Sequence, residues 1–145
     1  MAELSHARSF RDLAVYQKAR KVSGAIFKIS KGFPKEETYS LTDQIRRASR
    51  SIGAQIFEAW AKRRYERHFV SKLTDADGEQ METQHWIDEA LECGYLDPKQ
   101  AEELTADLMQ VGRMLNSMID KAHSFCGESH MVRDETVEYL VDTDD

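Results

Sequence analysis

Two prolines and seven glycines in 145 residues leave too little punctuation for a loop-rich or disordered chain. Long apolar runs are missing as well, and no apolar segment follows a basic N-terminus. Neither a membrane span nor a signal peptide is expected, and the cytoplasm is the expected location. Cysteine is scarce: Cys93 and Cys126 fall near the ends of two successive predicted helices. In an antiparallel pair those ends lie at opposite poles, roughly 40 Å apart at about 1.5 Å per residue, which excludes an intrachain disulfide and suits a reducing compartment.

Basic residues are almost absent from the second half. Residues 73–145 hold 4 Lys and Arg against 19 Asp and Glu, a formal −15, whereas residues 1–72 hold 16 against 7, a formal +9. Such asymmetry marks a nucleic-acid surface, or else oppositely charged helices that attract one another within or between subunits.

What is present is helical periodicity. Between Phe10 and Ser30, apolar residues recur at Leu13, Tyr16, Ala19, Val22, Ile26 and Ile29, and Lys31-Gly32-Phe33-Pro34 stops the helix, with Gly32 as its C-terminal cap. A second stripe runs Leu41, Ile45, Ala48, Ile52, Gln55 or Ile56, and Ala59. A third helix is predicted from Glu66 to Cys93, with Phe69, Leu73, Ala76, Gln80, Thr83, Ile87 and Leu91 inward and Gly78 as a weak point. Asp97 and Pro98 read as N-cap and first residue of a fourth helix, whose stripe is Ala101, Leu104, Leu108, Val111, Leu115, Met118, Ala122 and Phe125. The expected fold is all-α, an antiparallel up-down-up-down four-helix bundle over residues 1–126. Residues 127–145 form an acidic tail, within which Val137, Leu140 and Val141 could make a short docked helix.

Helix two is unusual on its outward side. Projection at 100° per residue puts Arg46, Arg47 and Arg50 opposite the apolar stripe, with Asp43 at pairing distance from Arg46 or Arg47; a solvated cationic face is the plain alternative. Beyond Gly53 the same side becomes Ala54, Phe57, Trp60 and Ala61. A lone bundle has no use for a second apolar face with two large aromatics, so these four are the expected oligomer interface. Lys62, Arg63, Arg64 and Arg67, with Tyr65 interleaved, form the densest basic cluster and the main candidate for contacts to nucleic acid, with Arg46, Arg47 and Arg50 contributing where assembly leaves them exposed. The alternative is a solvated turn between helices.

Glu82-Thr83-Gln84-His85 matches the Glu-x-x-His spacing of bundle metal sites, and Asp120 and His123 form a similar pair. Glu82 and His85 flank or oppose the stripe, and the first helix offers no core carboxylate, so no metal or other cofactor is expected. No nucleophilic set or phosphate loop is recognisable either, and enzymatic activity is not expected.

Several segments together resemble a known family. They are Asp12-Leu13-x-Val15-Tyr16-Gln17-Lys18-Ala19, Phe33-Pro34-Lys35-Glu36-Glu37, Leu41-Thr42-x-Gln44-Ile45-Arg46-Arg47-Ala48, Ser51-Ile52, Glu58, and Glu82-Thr83-Gln84-x-Trp86-Ile87-Asp88-x-Ala90 leading to Cys93-Gly94-Tyr95-Leu96. Over roughly residues 10–125 the chain resembles the bacterial four-helix-bundle proteins linked to intervening sequences of large-subunit ribosomal RNA genes. These are related to the accessory protein of diversity-generating retroelements. The resemblance implies a homo-oligomer, a ring of five bundles (a pentamer), without enzymatic activity. For the retroelement relatives it implies nucleic-acid (RNA or DNA) binding and association with a reverse transcriptase. Where the family usually has Ser-Ile-Pro-Ser-Asn-Ile-Ala-Glu-Gly, this chain reads Ser51-Ile52-Gly53-Ala54-Gln55-Ile56-Phe57-Glu58-Ala59, so the end of helix two is expected to pack in its own way. A protein-binding adaptor without a nucleic-acid role is the competing function.

Overall fold

The computed structural model describes residues 7–127, which hold four long helices and no strand. They are α1 (Ala14–Ser30), α2 (Asp43–Ala61), α3 (Glu66–Glu92) and α4 (Pro98–Asp120). The expected tail beyond Gly127, including Val137, Leu140 and Val141, lies outside the described residues.

Local chemistry sets most boundaries. The Phe10–Asp12 turn precedes α1 and is closed by a capping box: Ser9 Oγ accepts from the Arg11 amide, and the Asp12 carboxylate accepts from the Ser9 amide. Asp97 and Gln100 make the corresponding box at the start of α4, with Pro98 in the first helical position, as expected. The α3 C-terminus closes on Gly94 at φ +82°. The Tyr95 amide donates to the Ala90 carbonyl and the Gly94 amide to that of Leu91, a pairing that satisfies two terminal carbonyls and requires the left-handed backbone that glycine adopts without strain.

Three boundaries differ from the periodicity. Gly32 keeps a negative φ and is not a left-handed cap; α1 ends through successive short-range bonds from Lys31, Gly32 and Phe33 before Pro34. A π-helical turn, Thr38–Thr42, leads into α2. Finally α4 stops at Asp120, and a separate turn, Ala122–Ser124, carries Ala122 and Phe125 into the core.

One core joins all four helices. Every position of the α4 stripe is buried, as are Ala19, Val22 and Ile26 of α1. On α2, Ile56 rather than Gln55 faces inward. On α3, Ala90 replaces Leu91, and Tyr16 of α1 is only half-buried. Phe69 is fully buried and stacked on Phe125, ring centres 5.5 Å apart, which pins the segment after α4 to the start of α3.

The core is not wholly apolar. Gln80, 4% exposed, donates to Asp77 Oδ1 at 2.9 Å and accepts from Gln84 Nε2 at 2.8 Å, and this row lies against Gly112 of α4. The cysteines are both free, Cys93 exposed and Cys126 buried, with burial pushing the Cys126 thiol up to about 11.

Specific contacts join the helices. Ser30, the last residue of α1, is bonded to Arg46 of α2, and Phe10, in the turn before α1, packs on Phe57 of α2. Ion pairs Lys72–Glu58 (2.9 Å) and Arg47–Glu82 (3.2 Å) join α2 to α3, and Lys18–Asp107 (3.2 Å) joins α1 to α4. No described helix is long and apolar enough to cross a membrane.

Candidate nucleic-acid interface

The basic residues of α2 and of the α2–α3 turn separate into cations already engaged and cations still open. Arg46 is engaged: its guanidinium crosses to α1, where Nε donates to Ser30 Oγ at 2.7 Å and the group lies 4.7 Å from the Phe27 ring centre. Arg47 bonds to Gln44 and pairs with Glu82, not with Asp43. Arg63 departs furthest from the expected exposed cluster. It is 5% exposed, with its guanidinium 3.6 Å from the Trp60 ring centre and Nε donating to the Trp60 carbonyl at 2.8 Å. The Trp60 carbonyl also accepts the Arg63 backbone amide at 3.3 Å, so the amide and the guanidinium of one residue together close the end of α2.

Arg50, Lys62, Arg64 and Arg67 remain exposed, and so does Tyr65. None of these four cations has a carboxylate within ion-pair distance among the described residues. Lys72 holds the Glu58 carboxyl below its ordinary range, and Lys62 nearby adds to this effect. The turn and the first residues of α3 therefore offer three exposed cations and an exposed aromatic ring, a combination suited to phosphates and an unstacked base.

Arginine and aromatic rings continue from the turn onto α1, a part of the site absent from the expected cluster. A groove of about 470 Å³ lies between α1 and α2. Gly24 and Gly53 leave it open, Tyr16, Phe27 and Phe57 wall it, and Arg20 and Arg50 rim it. Arg20 donates to the Tyr16 hydroxyl at 3.3 Å, and the Arg50 guanidinium lies 5.2 Å from the Phe27 ring centre. Among the described residues, no carboxylate lines this groove. The available signal in the sequence was the spacing of Tyr16, Arg20 and Phe27, which repeats every four and seven residues along the edge of the apolar stripe. Gly53, where the chain departs from the family pattern, sits under Tyr16: a Cβ there would meet the ring at 3.5 Å, an ordinary contact.

The four residues of the expected oligomer interface differ in exposure. Ala54 and Ala61 are exposed, and Phe57 is 42% exposed with its ring 5.5 Å from that of Phe10. Trp60 is half-buried against the core and covered by Arg63. As for metal, Glu82 is occupied by Arg47 and the Trp86 indole, and His85 is exposed edge-on to Trp86. No group of three or more His, Cys, Asp or Glu side chains among the described residues is arranged to hold an ion.

Comparison with known proteins agrees with this architecture. The family model for the 23S rRNA-intervening sequence protein matches residues 11–117. Among solved structures, the chain is similar to a protein of unknown function from the S23 ribosomal protein family of Bacteroides thetaiotaomicron VPI-5482. The two superpose with a TM-score of 0.66 at 26% identity, covering 73% of this chain and 95% of the other. A search of curated proteins finds no match. The helices, their order and the matched length together place the chain in the 23S rRNA-intervening sequence protein family.

Proposed function

We propose that the protein is a non-catalytic, oligomeric nucleic-acid-binding or scaffold protein of the cytoplasm. Its helices run alternately up and down, and Ala54, Phe57 and Ala61 on the outer side of α2 take part in self-assembly. The family resemblance adds a ring of five subunits and, through its retroelement relatives, a reverse transcriptase as a protein partner. The observation that carries the nucleic-acid assignment is the set of exposed cations, Arg20, Arg50, Lys62, Arg64 and Arg67, interleaved with Tyr16, Tyr65 and Phe57 and lacking carboxylate partners among the described residues. Phosphate contacts need such cations, and aromatic faces accept unpaired bases.

A purely protein-binding adaptor is the second reading. It draws support from Lys18–Asp107 and Arg47–Glu82, which spend part of the charge asymmetry inside the fold.

The test is fluorescence anisotropy with labelled single-stranded RNA and DNA between about 50 and 200 mM salt. Affinity should fall steeply with salt. Replacing Lys62, Arg64 and Arg67 by glutamine should flatten the slope by about one unit per lost phosphate contact. Absent or salt-independent binding would favour the adaptor.

A further inference from the structure

The chain continues past the described residues for another 18, positions 128–145, with seven acids and one arginine. The residues just before it are firmly placed. Phe125 is stacked on Phe69, Cys126 is buried, and the Gly127 amide donates to the Arg63 carbonyl at 3.2 Å. Gly127 itself is at φ +103°, a backbone turn suited to glycine. Gly127, the last described residue before the acidic segment, is thus held against the α2–α3 turn. Lys62 and Arg64 are the immediate neighbours of the residue that holds Gly127, with Cα atoms about 3.8 Å from its own, and Arg67 is one helical turn further on.

We infer that residues 128–145 dock on the cationic α2–α3 turn and compete there for the nucleic acid proposed above; only the identity of the competitor rests on that proposal. Three observations support the docking. Lys62, Arg64 and Arg67 are exposed and have no carboxylate partner among the described residues, so their charge is available to a polyanion. The surfaces of α3 beyond Lys72 and of α4 are unfavourable, because they carry most of the remaining acids of the chain and repel the segment. Attachment beside its target also gives the segment an effective local concentration in the millimolar range, enough to populate individually weak, exposed ion pairs. Its reach, at most about 60 Å if fully extended, is far more than the turn requires.

Docking of this kind is loose and salt-sensitive. It lowers affinity for an external polyanion at the turn.

The experiment compares the full chain with a full-length variant in which all seven acids after Gly127 are replaced by their amides, keeping chain length constant. With a labelled single-stranded RNA oligonucleotide at low salt, the amide variant should bind about three- to tenfold more tightly. The difference should narrow as the Debye length falls toward about 8 Å at physiological ionic strength. A second arm omits RNA: a labelled peptide of residues 128–145 is titrated into the amide variant and into the same variant carrying Lys62→Gln, Arg64→Gln and Arg67→Gln. The peptide should bind the first and lose most of its affinity for the second. That outcome supports docking even where neither chain binds RNA, in which case the nucleic-acid proposal alone fails. A peptide that does not bind at low salt, or binds both variants equally, overturns the docking. Peptide binding with equal RNA affinities overturns the competition.

Discussion

The guanidinium of Arg63 lies 3.6 Å from the centre of the Trp60 ring, and its Nε donates to the carbonyl of the same residue. One side chain thereby covers an aromatic face that would otherwise meet water and caps a carbonyl at the end of α2. Arg63 and Arg64 are adjacent yet have opposite roles in the fold. Arg63→Gln should cost about 2 kcal/mol of stability, as a buried cation–aromatic contact and a charged hydrogen bond are lost together. Arg64→Gln should leave the unfolding midpoint in urea nearly unchanged and weaken polyanion binding instead. Equal stability of the two variants would contradict this division.

Assembly is better tested at Phe57 than at Trp60. Phe57 is 42% exposed and touches Phe10 at the rim, so a charge placed there meets solvent in a monomer but is buried in an interface. Phe57→Glu should retain helicity by circular dichroism and lower the mass measured by light scattering. Trp60→Glu is a poorer probe, because it removes a ring packed against the core and puts a carboxylate beside the Arg63 guanidinium, where the new charge is neutralised. A wild-type protein that is monomeric at micromolar concentration would remove the self-assembly proposal.

The four stripes were readable because burial recurs every three or four residues. Along α4 that rule placed all eight residues from Ala101 to Phe125 correctly, even though the helix itself ends at Asp120. The boxes at Asp97 and Gly94 were readable for a similar reason, since their partners lie within five residues. The orientations of individual cations were not. Arg46 is turned by Ser30, sixteen residues away, and Arg47 by Glu82, thirty-five residues away, contacts that exist only once the helices are packed. For the same reason the groove escaped notice: Tyr16 belongs to the α1 stripe by spacing, but only its position over Gly53 makes it a wall.

Tyr95 gives a prediction in the alkaline range. Its hydroxyl donates to Glu37 Oε2 at 2.8 Å, and that bond, with some burial, pushes the phenol up to about 12. Because the folded-state pKa is raised, the stabilisation is fully present below the unfolded value of about 10 and is lost as pH rises through about 12. An ultraviolet titration should show one of the five tyrosines ionising late, and Tyr95→Phe should abolish that late step. If the variant keeps a phenolate transition near 12, the assignment to Tyr95 is wrong.

Two helical glycines should respond oppositely to alanine. Gly78 is exposed in the interior of α3, and a Cβ there meets nothing within 4 Å, so Gly78→Ala should raise stability by up to about 1 kcal/mol through backbone entropy alone. Gly112 faces the buried polar row. A Cβ there would come to 2.9 Å from Gln80 Nε2 and 3.3 Å from Asp77 Oδ1. The Gln80 amide is tied to Asp77 on one side and Gln84 on the other, so it cannot swing aside without leaving a buried polar group unpaired. Gly112→Ala should therefore cost about 1 to 3 kcal/mol despite the better helix propensity of alanine. Adding Gln80→Ala to that variant should recover part of the loss, because the second substitution removes the clash together with the orphaned amide. Thermal melts of the two single variants and the double variant decide the matter: a Gly112→Ala protein as stable as the wild type would mean that the Gln80 row is free to move.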